Sequence, residues 1–270
     1  MNAAERSGTR IMAVFCDFEN IALGAKDAHF PSFDIRKVLE RLLLKGNIVV
    51  KKAYCNWDRY HDAKRAMHEA AFELIEIPHV RQSGKNSADI RMVVDALDLC
   101  YTKSHVDTFV VISGDSDFSP LVAKLRENNK IVVGCGVKNS TSDLLISGCD
   151  EFIYYDDLVR GEGRGRAARR PKSDKAEAKA AASPEDRRQE GLDLLMETAE
   201  DLFAERDAEE KVWGSMVKQA IKRRKPGFNE SYYGFKNFGK LLEEARERKL
   251  IDLEFDQKSG GYIITRVAAG

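Results

Sequence analysis

Between residues 11 and 160, short runs rich in β-branched residues alternate with longer segments whose apolar residues recur every three or four positions. That alternation restricts the first part of the chain to βα units around a parallel sheet. The strand runs fall at 11–15, 48–54, 73–77, 108–112, 131–133 and 152–155. The periodic segments at 34–44, 60–72, 87–101, 118–128 and 142–146 suit amphipathic helices packed on the faces of that sheet. The predicted fold class is α/β with a parallel central sheet.

A length of 270 residues favours two domains, and the composition shows where they part. Over 161–190 the large apolar side chains vanish and Gly, Ala, Arg and Lys dominate, which reads as a flexible linker between a domain at 1–160 and another at 191–270. Within the linker, 164–172 holds five basic residues and no acid, a stretch suited to lying along a phosphate backbone and equally to a solvated spacer. The apolar period resumes at Leu192, Leu195, Ala199 and Leu202, and further helices are expected at 213–221 and 238–245. Alternating residues at 251–255 and 262–265 flank Gly260 and Gly261, the pattern of a hairpin. Helices followed by a two-strand wing suggest a small winged-helix domain.

Basic and acidic residues balance at 44 each, so nucleic-acid binding has to come from local patches. The chain has no apolar run long enough for a membrane span and its first ten residues lack the core of a secretory signal, which makes a cytoplasmic location the expectation. Cys16, Cys55, Cys100, Cys135 and Cys149 form no C-x-x-C pair and read as reduced thiols rather than a zinc site. Gly84-Lys85 and the 134–139 segment both lack the glycines of a phosphate-binding loop, and the five histidines include no H-E-x-x-H.

The chemistry-bearing signal is the placement of acids. VFCDFEN puts Asp17 just after the first strand, and VVISGDSDF puts Asp115 and Asp117 just after another. Both positions lie at the carboxyl edge of an open α/β sheet, where ligands bind. Asp89, in the first turn of the helix expected from Ser87 as N-cap, suits the same crevice. Four crowded carboxylates repel unless a cation neutralises them, and Mg²⁺ or Mn²⁺ matches oxygen donors and phosphate substrates. Metal-assisted phosphodiester hydrolysis is the reaction these acids suit. Taken singly, each acid is also a normal helix-start or turn residue. Asn20 and Ser113 either hydrogen-bond beside the metal or cap a turn. Asp143 is an outer ligand or part of the capping chemistry at 140–142, and Lys85 holds a scissile phosphate or sits in a solvated loop. A Toprim site would begin with glutamate, and a haloacid-type phosphatase would place Asp-x-Asp where this chain has Asp17-Phe18-Glu19.

With FCDFENI at 15–21, KNSADIRMVVDAL at 85–97, VVISGDSDFSPLVAKLRENNKIVVGCG at 110–136 and the TSDLLISGCDEFIYYDDL stretch, the first 160 residues resemble the NYN family of PIN-like, LabA-like nuclease domains. The resemblance implies a Rossmann-like sandwich that hydrolyses RNA, with Asp17, Asp89, Asp115 and Asp117 as the metal site and Asn20 and Ser113 beside it. The second half, WGSMVKQAIKRRKPGFNESYYGFKNFGKLLEEARERKLIDLE followed by GGYII, resembles an OST-HTH (LOTUS) module, a family associated with RNA and with partner proteins. Lys218, Lys222, Arg223, Arg224 and Lys225 form a basic stretch suited to phosphates, beside Phe228, Tyr232, Tyr233 and Phe235, which suit either base stacking or a small core. The expectation is a metal-dependent, endoribonuclease-like hydrolase with a C-terminal RNA-binding module. The alternative is a non-catalytic RNA-binding adaptor, and no motif supports or opposes a homodimer.

Overall fold

A computed structural model describes residues 9–77, 87–163, 183–205, 211–257 and 259–268. The chain divides into two compact units, Met1–Arg169 and Arg170–Gly270.

The first unit is built on a six-stranded, wholly parallel sheet of β1 (Arg10–Asp17), β2 (Gly46–Cys55), β3 (Glu73–Glu76), β4 (Thr108–Ile112), β5 (Ile131–Gly136) and β6 (Glu151–Tyr154). Its spatial order is β3-β2-β1-β4-β5-β6. Successive side chains of a strand point to opposite faces, so a central strand needs apolar residues at every position. β1 shows this directly. Met12, Val14 and Cys16 join one core with Phe18, Ile21, Val38, Leu42 and Met67, while Ala13 and Phe15 join the other with Met92, Ala96, Leu121, Leu125 and Leu145. Helices α1 (Phe18–Asp27), α2 (Ile35–Leu43) and α3 (His61–Glu69) cover the first face. Helices α4 (Ser87–Thr102), α5 (Ser119–Glu127) and α6 (Asp143–Gly148) cover the second, and α7 (Tyr155–Gly163) packs with α2.

Several boundaries differ from the sequence reading. α1 was anticipated only as a possible helix start at Asp17, and α7 not at all, because each follows its strand with no turn residue between them. β5 runs on through Gly134, Cys135 and Gly136, beyond the 131–133 run expected from the sequence. The glycine is needed at 134, since a Cβ there would stand 2.3 Å from the Phe152 ring. Ser87 is the first helical residue of α4 rather than its cap.

The second unit contains α8 (Pro184–Ala204), β7 (Val212–Trp213), α9 (Gly214–Arg224), α10 (Phe238–Glu247), β8 (Ile251–Asp256) and β9 (Gly261–Val267), with an antiparallel sheet in the order β7-β9-β8. α8 begins before the end of the expected linker. Ser183 and Asp186 form a reciprocal capping box ahead of Pro184, so 184–190 is helical. The basic stretch at 164–172 lies outside the described residues. Leu192, Leu195, Ala199, Val217, Ile221, Leu241, Leu242 and Ile264 form this unit's own core. Phe228, Tyr233 and Phe235 are buried in it, which gives those aromatics to packing. Tyr232 packs partly against the same cluster.

Candidate functional site

Strand order reverses between β1 and β4, and at such a reversal the loops leaving adjacent carboxyl ends diverge and open a crevice. Asp17 ends β1 there, only 7% exposed. It is also the N-cap of α1: one carboxylate oxygen accepts the Asn20 backbone N–H at 3.3 Å. Its other oxygen accepts from the Ser113 hydroxyl at 3.0 Å, just past the end of β4. Asp17 thus both caps α1 and stands at the strand-order reversal.

Ser113 is fully buried and its Oγ also accepts the Asp115 backbone N–H at 3.2 Å. From this buried position it braces the two acidic loops. Asn20 is used in the same way, its side-chain oxygen accepting the Gly114 N–H at 2.8 Å. Asp115 caps a short 3₁₀ turn, accepting the Asp117 N–H at 3.0 Å, and Asp117 lies exposed on that turn. Gly114 admits no side chain, because a Cβ would come within 2.4 Å of the Ser140 carbonyl oxygen. Ser142 N–H donates to the Gly114 carbonyl at 2.9 Å, so the loop after β5 is laid against the one after β4.

Electrostatics tie these acids to Asp89, in the first turn of α4. Asp17 is pushed up to about 7, first by burial and then by the negative charge of Asp89, with Asp115 adding, against the lowering hydrogen bonds from Asn20 and Ser113. Asp89 is pushed up to about 6 by burial, then by Asp115, Asp117 and Glu19. The four expected acids therefore share one electrostatic neighbourhood, and Glu19, which the sequence reading did not assign, belongs to it. Asp143 is exposed at the start of α6, where Ser142 provides the cap. It is not among the charges that raise Asp17 or Asp89. Lys85 lies outside the described residues.

Among the described residues no three Asp, Glu, His or Cys side chains stand close enough to enclose an ion. The acids nonetheless suit Mg²⁺ or Mn²⁺ chemically: they offer only oxygen donors, they repel one another, and Mg²⁺ takes one or two carboxylates while keeping several waters. The described cysteines are all buried and free.

The loop after β2 reaches the same edge of the sheet. Arg59 Nη1 lies 2.9 Å from Glu19 Oε1. The signal was available in the sequence, since any loop leaving the carboxyl end of a parallel strand faces that edge, but 56–60 carries no paired acid to mark it.

In the second unit the basic stretch on and after α9 is largely engaged. Lys218 lies 2.7 Å from Glu230, Arg224 2.5 Å from Asp201 and Lys225 3.9 Å from Glu190. Lys222 acts electrostatically on Glu230, and Arg223 is exposed. Among the described residues no helix is long and apolar enough to cross a membrane.

A profile of the NYN domain matches residues 11–156, more than half of the chain. The chain belongs to the NYN domain family. NYN domains have a PIN-like nuclease fold and are generally nuclease-like hydrolases, in keeping with the parallel sheet and its acidic edge. An uncharacterized protein of Methanocaldococcus jannaschii is 27% identical over 151 residues, a match that spans 56% of this chain and 58% of the archaeal protein. The crystal structure of a protein of unknown function from Vibrio parahaemolyticus is similar with a TM-score of 0.50 at 26% identity, covering 58% of this chain and 98% of its own. The NYN match ends at Asp156, before the second unit begins.

Proposed function

We propose that this NYN protein is a divalent-metal-dependent ribonuclease whose site is formed by Asp17, Asp89, Asp115 and Asp117. The observation that carries the reading is the gathering of carboxylates at the strand-order reversal, where burial, and after it the charges of neighbouring acids, push Asp17 up to about 7 and Asp89 up to about 6. Such a site is at its least favourable empty and charged, so it favours a cation as occupant. A bound Mg²⁺ or Mn²⁺ would supply charge neutralisation at the scissile phosphate and polarise the attacking water. Asp17 would hold the ion from its braced position, Asp115 and Asp117 from the turn after β4, and Asp89 would bind the ion or orient water from α4. Ser113 and Asn20 keep the two loops in register.

The second unit is read as a winged-helix module of the OST-HTH (LOTUS) type. Three helices followed by a hairpin, with β7 pairing on the hairpin's last strand, support this. Its role would be to recruit RNA through Arg223 and through Lys218, Lys222, Arg224 and Lys225. Exposed ion pairs contribute only about 0–1 kcal/mol, so phosphates can displace the acids at Arg224 and Lys225. Protein partners and self-association are compatible with such a module.

The assay is cleavage of single-stranded RNA by the full chain with Mg²⁺ or Mn²⁺. Asp17→Asn and Asp115→Asn are expected to abolish cleavage and leave RNA binding in place. An adaptor reading is favoured by one observation, the absence among the described residues of a three-ligand cluster. It would show as RNA binding without cleavage in the wild type.

A further inference from the structure

We propose that Arg59 grips a phosphate oxygen of the nucleic-acid substrate at the rim of the acidic crevice, an assignment that rests on the ribonuclease reading of that site. Three observations and one electrostatic argument converge on it.

The first is position. β2 lies beside β1, and the loop leaving its carboxyl end presents Arg59 to Glu19, two residues after Asp17. Glu19 in turn is one of the charges that raise Asp89. The guanidinium therefore stands one side chain away from the acids.

The second is that the loop is built, not draped. The Trp57 backbone N–H donates to Glu76 at 3.1 Å and its indole N–H donates to the Ile75 carbonyl at 3.2 Å, which anchors the loop to the end of β3. Asn56 accepts from the Asp58 N–H through its side chain and from the Arg59 N–H through its carbonyl. Trp57 and Tyr60 both pack on Phe18, with ring centroids 5.0 and 5.5 Å away. Phe18 is the residue that follows Asp17, so the same aromatic cluster sets the backbone of the metal-site acid and the loop carrying Arg59.

The third is availability. The Arg59 side chain is 56% exposed, and its single described ion pair uses one of five guanidinium N–H donors. The planar fork that remains matches two oxygens of a phosphodiester. An exposed ion pair of this kind contributes little to folding, so the pair with Glu19 is better explained as orientation of the guanidinium than as a stabilising strut.

The fourth is charge. A polyanion approaching several carboxylates is repelled beyond what one divalent ion offsets, and a fixed cation at the rim lowers that barrier. Glu19 becomes a positioning residue, aiming Arg59 and giving up its share of the guanidinium when a phosphate arrives.

The test uses the full chain and a ten-nucleotide single-stranded RNA of mixed sequence. Binding is followed by fluorescence anisotropy in Ca²⁺ across a salt series, and cleavage is followed in Mn²⁺. Arg59→Ala is expected to weaken binding by about 5–20-fold and to flatten the slope of log K against log salt by about 0.7, the loss of one phosphate contact on a single strand. Arg59→Lys should recover part of the affinity. Arg65→Ala, which removes an exposed arginine of α3 paired with Glu69, should match the wild type. An unchanged salt slope in Arg59→Ala or Arg59→Gln, with an unchanged melting temperature, overturns the proposal, as does an equal loss in Arg65→Ala. The two readings fail separately. A wild type that binds RNA without cleaving it, while Arg59→Ala still flattens the slope, removes the nuclease and keeps the phosphate grip. A wild type that cleaves, with Arg59→Ala showing the same KM and slope, does the reverse, and a wild type that does neither removes both.

Discussion

The Ser113 hydroxyl donates to Asp17 Oδ2 at 3.0 Å, joining residues 96 positions apart across the point where strand order reverses. This one bond fixes the end of β1 to the loop after β4. The same oxygen of Ser113 receives the Asp115 N–H, so the site's geometry passes through a side chain no substrate can touch.

Ser113→Ala removes a donor from a buried carboxylate and an acceptor from a backbone N–H. Hydrogen bonds to charged groups contribute about 1.5–3 kcal/mol, so a loss of stability on that order is expected in a denaturant melt. Cleavage should fall by about tenfold or more as the Asp115 turn loosens. Ser113→Thr, which keeps the hydroxyl, should recover activity ahead of stability, because its extra methyl enters a fully buried position.

The raised carboxyls make the metal-free protein pH-sensitive in a definite direction. Asp17 moves from 3.8 to about 7 and Asp89 from 3.8 to about 6 on folding, so between those values the folded chain holds more protons than the unfolded one. Their stabilising contribution is complete below about pH 4 and is lost as pH rises through 6 and 7. For Asp17 alone the loss is on the order of 4 kcal/mol. Melting in EDTA should therefore show Asp17→Asn gaining on the wild type as pH rises from 5 to 8. An equal difference at both ends would contradict this.

Adding Mn²⁺ should reverse the same loss. Protons and the cation compete for the carboxylates, so the rise in melting temperature with metal should be larger at pH 8 than at pH 5. Asp17→Asn and Asp89→Asn should reduce it. A shift independent of pH and of these residues would place the cation elsewhere.

The turn after α3 holds a non-glycine residue in the left-handed region. Ala71 has φ of 57°, and the Phe72 N–H closes on the Met67 carbonyl at 3.0 Å, the arrangement of a Schellman cap that favours glycine. Ala71→Gly should stabilise the chain by about 0.5–1 kcal/mol without altering RNA cleavage, read by urea melts.

The parallel sheet was legible because β1 and β4 are apolar on both faces, as only buried parallel strands are. The acids were legible because they sit at strand ends. Neither pattern reports how loops brace one another, so the sequence left Ser113 and Asn20 open between a place beside the metal and a turn cap, and named neither of their partners. Arg59 was hidden for the same reason. Its partner Glu19 is 40 residues away, and only the β1–β2 pairing brings them together. α1 and α7 lack the turn residues that punctuate a sequence, and β5 contains glycines that ordinarily weaken a strand. The basic stretch near α9 was legible as a run of like charges, but sequence proximity says nothing of the acids that tertiary packing sets against Lys218 and Arg224.

The most direct test is anomalous scattering from a crystal of the full chain grown with Mn²⁺ near pH 8. We expect a peak in the crevice between β1 and β4, with Asp17, Asp89, Asp115 or Asp117 oxygens among its ligands at about 2.0–2.3 Å and waters filling the remaining positions. A crevice without a peak at saturating Mn²⁺, with these carboxylates instead paired to lysine or arginine, would contradict the account.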